Sequence, residues 1–135
     1  MKAIILGLAL LGACGRSTPP TPTPPPSVTA SGVCEQLVAV GVGAKCRPGG
    51  RPGALGAAAA EYVVFDLPAL PGRTGQVLRF NTPADYAASV DAFASAAIIA
   101  GRHRYGSEHG LIFVQLSNEA STATGDKAKA VVAGL

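Results

Sequence analysis

Apolar and polar positions along this chain change their period several times. Ala3 to Leu11 is an apolar run broken only by Gly7 and preceded by Lys2. It is about nine residues long, whereas a membrane-spanning helix needs roughly twenty. From Arg16 to Val28 no apolar period is present, and six of thirteen residues are proline. Val33, Leu37 and Val40 then recur at helical spacing, with Ser31 as the candidate N-cap and Gly41 or Gly43 as the stop. Arg47-Pro48-Gly49-Gly50-Arg51-Pro52-Gly53 reads as a loop. Its glycines do not make a phosphate cradle, because no Gly-Lys-Ser/Thr follows and no strand is expected to lead into it.

Tyr62–Leu67 and Gln76–Phe80 carry the β-branched and aromatic content of strands. Pro68–Gly75 between them holds two prolines and two glycines, a connection suited to a hairpin and too short for a helical crossover. Asn81–Asp85 is the clearest helix start: Thr82 can cap, Pro83 fits the first helical position, and Asp85 is placed to reach back to the cap amide. Tyr86, Val90, Phe93 and Ala97 line one face of that helix, which Gly101 ends. Arg102–Tyr105 is a short strand candidate, Gly106–Gly110 a turn, and Leu111–Leu116 a nearly continuous apolar strand expected at the sheet centre. A last helix runs from about Thr124, its expected cap, to Ala133.

The order is therefore helix, hairpin, helix, hairpin, helix, with the hairpin-plus-helix unit repeated over 62–100 and 103–133. The expected fold is α+β, a small four-stranded antiparallel sheet with helices packed on one face and its strand order open.

Composition narrows the function classes. Net charge is +3, too small to argue for nucleic acid. With no Trp, three Tyr and four Phe, stacking platforms for bases or sugars are poorly supplied. Charged residues are 14% of the chain, well under the usual quarter or so. That suits either a domain resting on a partner or membrane, or a chain simply rich in Ala and Gly.

A basic residue, a short apolar stretch and small residues before a cut site form a secretory signal. Within it, Leu11-Gly12-Ala13-Cys14 resembles the lipobox of bacterial lipoproteins. The resemblance implies a diacylglyceryl group on the Cys14 thiol, removal of residues 1–13, and acylation of the new amino group, palmitate being a typical acyl chain. Gly15, not Asp, follows the cysteine, which by the same resemblance favours the outer membrane over the inner. An ordinary secretory signal cut near Ala13 is the alternative. Removing residues 1–13 from 135 leaves 122. These divide into a lipidated cysteine with a Pro/Thr-rich linker (14–30) and one α+β domain (31–135), an ordinary single-domain size. A polyproline II linker rises about 3.1 Å per residue and holds the domain up to roughly 40 Å from the bilayer. A ligand for a Pro-recognition module is its other reading.

With Cys14 carrying lipid, Cys34 and Cys46 are left to pair in an oxidising compartment. Closing a loop of about thirteen residues stabilises a fold by roughly 3 kcal/mol. A metal site needs further ligands, and none sit near these two in sequence.

Candidate chemistry is concentrated in residues 101–110, which hold both histidines. Arg102, His103, Arg104, Tyr105, Glu108 and His109 form the candidate contact surface. Arg102 and Arg104 alternate along one strand, with Arg79 expected nearby, and suit an anionic envelope component or an acidic protein face. His103, Glu108 and His109 are a partial metal set, and Ser107 with His109 pairs a nucleophile with a base. Asp66 and Arg79 are expected to form a cross-strand ion pair. No HExxH, GxSxG or GxGxxG motif is present.

The sequence therefore leads to a lipid-anchored protein of the cell envelope, facing the periplasm or the surface. It works by binding or assembly, with no cofactor beyond the covalent lipid and no nucleic acid partner. A periplasmic enzyme or metal-binding accessory using His103, Glu108 and His109 is the competing expectation.

Overall fold

Two neighbouring pairs of apolar residues, Val77-Leu78 and Phe113-Val114, decide the architecture. Successive strand residues point to opposite faces, so both faces of their sheet must be covered. The computed structural model describes residues 28–135, and there that requirement is met. The signal run, Cys14 and most of the proline linker lie outside the described residues.

The elements are α1 (Ala30–Ala39), β1 (Ala44–Pro48), a 3₁₀ turn (Ala54–Gly56), β2 (Glu61–Asp66), β3 (Thr74–Arg79), α2 (Pro83–Ser95), α3 (Ala97–Ala100), β4 (Arg104–Ser107), β5 (Ile112–Leu116) and α4 (Thr122–Ala133). The fold is α+β, with one antiparallel sheet in the order β1-β2-β3-β5-β4. It has five strands, not the four expected, and β3, not Leu111–Leu116, lies in the middle. The additional strand is β1. Its Lys-Cys-Arg-Pro sequence has no apolar alternation, because four of its five residues are exposed. It joins β2 through an irregularity between Ala44 and Arg47, where Lys45 takes φ 54°. The Cys34–Cys46 disulfide ties it to α1, with Cα atoms 6.2 Å apart.

The helices cover both faces, which corrects the expectation of one. On the first face, Val63, Phe65, Val77, Ile112, Val114 and Leu116 pack against Val33, Cys34 and Leu37 of α1 and Ala128 and Val132 of α4. On the second, Leu78, Phe80 and Phe113 meet Tyr86 and Phe93 of α2 and Ala100 of α3. The Phe93 and Phe113 rings stack with centroids 4.6 Å apart.

Caps fix where the helices start. Thr82 accepts from the Asp85 amide at 3.1 Å, with Pro83 at the first helical position, as the sequence predicts. The first helix is capped by Thr29, whose hydroxyl accepts from the Gly32 amide at 3.0 Å. Ser31 lies inside that helix, and Glu61 from β2 accepts the Ala30 amide at 2.9 Å, placing a carboxylate at the positive helix end. Ser121, not Thr124, caps α4, accepting from the Thr124 amide at 3.1 Å. The helix expected to run to Gly101 breaks at Ala96, and the single turn α3 continues to Gly101, whose φ of 75° ends it.

Candidate functional site

Residues 101–110 are held largely by internal bonds. His103 is 4% exposed. Its Nε2 lies 2.7 Å from the Ala120 carbonyl oxygen, which can only accept, so Nε2 carries the proton. In the neutral ring Nδ1 then accepts from the Tyr105 hydroxyl at 2.8 Å. Gly125 of α4 packs against this pair so tightly that a Cβ there would stand 2.4 Å from the Tyr105 oxygen and 2.5 Å from Nδ1. Burial, and then the Asp126 carboxylate, push the Tyr105 hydroxyl above its ordinary pKa, with Arg102 opposing. Tyr86 is raised likewise, by burial and then by Glu108. The His103–Tyr105 pair thus clamps β4 to α4 and to the segment before it.

The two arginines diverge. Arg102 donates through Nη2 to the Ala120 carbonyl at 2.8 Å and through its amide to Asn118 Oδ1 at 3.1 Å. Arg104 turns to the second face and donates to the Phe93 carbonyl at 3.0 Å, while its buried Nε has no hydrogen-bond partner. Arg79 points to the first face and pairs with Glu61 at 2.6 Å. The expected Asp66–Arg79 pair is absent because the strand register sets Arg79 opposite Glu61 and Asp66 opposite Thr74, and Asp66 bonds Arg47 at 2.9 Å. Glu108 and His109 are exposed in the turn. Among the described residues no group of three His, Cys, Asp or Glu side chains is close enough to hold a metal ion, and His103 is already engaged through both ring nitrogens. Ser107 Oγ accepts from the Gly110 amide at 3.1 Å, a turn-closing use.

A different place in the fold is open. The second sheet face is roofed by α2 only over the Leu78, Phe80 and Phe113 region. Beside that roof are two adjoining hollows of about 350 Å³ and 520 Å³. Gln76, Ile99, Ala100 and Gln115 line both. The larger is walled by Leu55, Leu78, Phe93 and Ala96. The smaller continues over Tyr62 and Val64 to a polar end at Arg73, Ser117 and Asn118. Across the floor Gln76 donates to Gln115, and Gln115 donates to the Ala100 carbonyl, an amide chain between apolar walls. Arg73 at the rim is bidentate to Glu119, at 3.1 and 2.8 Å. Neither lining contains a carboxylate, an imidazole or a thiol.

The lip of this groove is α3. Ile98 is fully exposed and Ile99 is 84% exposed. This feature is missed when the helix is read as one packing element, yet the sequence carries a signal for it. On the face defined by Tyr86, Val90, Phe93 and Ala97, neither Ile98 nor Ile99 has a place. No protein family, curated protein or solved structure matches the chain.

Proposed function

We propose that this is a lipid-anchored protein of the bacterial envelope that acts by binding, and that its binding face is the groove between α2–α3 and the Pro52–Gly56 segment. The observation that carries the reading is the groove itself: the apolar walls of its larger hollow stand over a hydrogen-bonded amide floor that continues to a polar end at Arg73, Ser117 and Asn118. Apolar walls supply affinity, and the amides supply orientation. The lipobox resemblance at Leu11–Cys14 supports the anchor, and the Cys34–Cys46 bridge supports an oxidising compartment. Outer-membrane placement rests on Gly15. Residues 101–110 lie outside the groove lining; Arg104 donates to the carbonyl of Phe93, a wall residue, and Glu108 and His109 form an exposed tip.

Two measurements test the proposal. Mass spectrometry of the mature N-terminus is expected to find a diacylglyceryl cysteine at position 14, and an unmodified thiol there contradicts the anchor. A photo-crosslinking amino acid at Gln76 is expected to form a discrete adduct in intact envelopes, while the same group at Lys129 on exposed α4 surface does not. Equal labelling from both positions contradicts the groove as the binding face.

A further inference from the structure

Two consecutive isoleucines pointing into water are unusual in so small a domain, and their surroundings identify what covers them. Monomeric surfaces rarely hold contiguous apolar area without a use, and protruding apolar side chains flanked by basic residues are the signature of a surface that lies in a membrane interface. From Ala92 to Ser107 the chain contains no carboxylate, and its exposed cation is Arg102, since Arg104 turns inward to the Phe93 carbonyl. Glu119, beside Asn118 on the same side of the fold, is neutralised by Arg73. Arg102 is exposed and uses Nη2 for the Ala120 carbonyl, so other guanidinium N–H groups are left for an external acceptor.

Reach does not select the face. A tether as long as Cys14–Ser27 would reach up to roughly 40 Å if extended at about 3.1 Å per residue, more than the radius of a domain of this size. Any side of the domain can therefore turn to the bilayer, and the side that does so is chosen by apolar exposure and charge.

We infer that α3 seats the anchored domain on the bilayer: Ile98 and Ile99 enter the boundary between headgroups and acyl chains, and Arg102 faces lipid phosphate. The inference rests on the anchored-binding reading above and adds the orientation in which the domain works. Two side chains alone give a weak contact, but the tether keeps them at high effective concentration beside the membrane. Ile99 lines both hollows, so seating α3 also brings the mouth of the groove to the lipid surface.

The chain contains no tryptophan, so Ile98→Trp in the full lipidated protein places a single reporter at the proposed contact. Val38→Trp, at a half-exposed position on α1 behind the opposite face, is the control. In vesicles of phosphatidylethanolamine and phosphatidylglycerol, the residue-98 indole is expected to emit at shorter wavelength and to lose most of its emission when the upper acyl carbons are brominated. The residue-38 indole is expected to do neither. Adding Ile99→Asp is expected to return the residue-98 signal to that of water. A chain that sediments with the vesicles while its residue-98 indole reports water overturns this inference and leaves the anchor standing. A chain that stays in the supernatant overturns both. A shortened wavelength without bromine quenching, or one that develops with protein concentration in the absence of vesicles, assigns α3 to a protein contact and overturns the bilayer assignment.

Discussion

The two faces of the sheet are built from the same alternating strands and reach opposite ends. On the first, Phe65, Val77, Val114 and Leu116 disappear under α1 and α4, the disulfide pins α1 to the edge strand, and Glu61 joins the start of α1 to Arg79. On the second, α2 shelters Leu78, Phe80 and Phe113, while Tyr62, Val64, Gln76 and Gln115 remain only half-buried beside it. The difference lies in the covering elements, since α2 breaks at Ala96 and α3 turns its isoleucines outward. The closed face concentrates the buried apolar contacts, and the partly open face is the one proposed for binding.

The largest expected effect is at the closed face. Phe65→Ala is expected to cost about 3–5 kcal/mol in urea unfolding, because a fully buried ring leaves a cavity. A cost below that of Gln76→Ala at the groove floor breaks the comparison. Replacing Cys34 and Cys46 together by Ala is expected to cost about 3 kcal/mol, since the crosslink that restrains the unfolded chain is lost. It should also raise amide exchange in β1 ahead of β2, and uniform exchange would show that β1 does not depend on the bridge. Gly125→Ala, ordinarily favourable in a helix, is expected here to destabilise by about 1–3 kcal/mol, because the new methyl meets Tyr105 and His103.

Alkaline titration probes the two tyrosines packed on opposite faces of the sheet, Tyr105 on the first and Tyr86 on the second. A tyrosine whose folded pKa is raised holds its proton longer when folded, so its contribution is complete below about pH 10 and declines as pH climbs through the folded value. Unfolding midpoints are expected to fall above about pH 10, less steeply in Tyr86→Phe than in the parent chain. The smallest effect is at the open face. Ile99→Ser is expected to change stability by less than about 0.5 kcal/mol while weakening whatever the groove binds.

Much of the fold is legible where a local signal is also the structural cause. Thr82-Pro83 starts a helix because the cap and the fixed proline φ act within a few residues. The apolar content of Tyr62–Leu67 and Leu111–Leu116 marks strands because Val63, Phe65, Ile112, Phe113, Val114 and Leu116 are buried against the helices. The unbroken apolar character of Phe113-Val114 also carried the two-sided burial, which the one-face expectation overlooked. β1 was not legible, because its place depends on a disulfide and on pairing with β2 rather than on its own side chains. Part of the candidate surface at 101–110 is engaged internally for a related reason, while Arg102, Glu108 and His109 are exposed. His103 and Arg104 look available in the sequence, while their partners, Ala120 and Phe93, stand 17 and 11 residues away. The groove depends on the same long-range assembly, which brings Leu55, Gln76, Ile99 and Gln115 together from four separate segments.

The most direct test of a closed face and a working face is hydrogen–deuterium exchange on the lipidated chain in phospholipid vesicles, set against the same chain freed of its lipid in solution. The account predicts added protection confined to Pro52–Gly56, Ala96–Arg102 and the neighbouring groove residues, with α1 and α4 unchanged. Protection centred on α1 and α4, with the Ala96–Arg102 stretch unaltered, would contradict it.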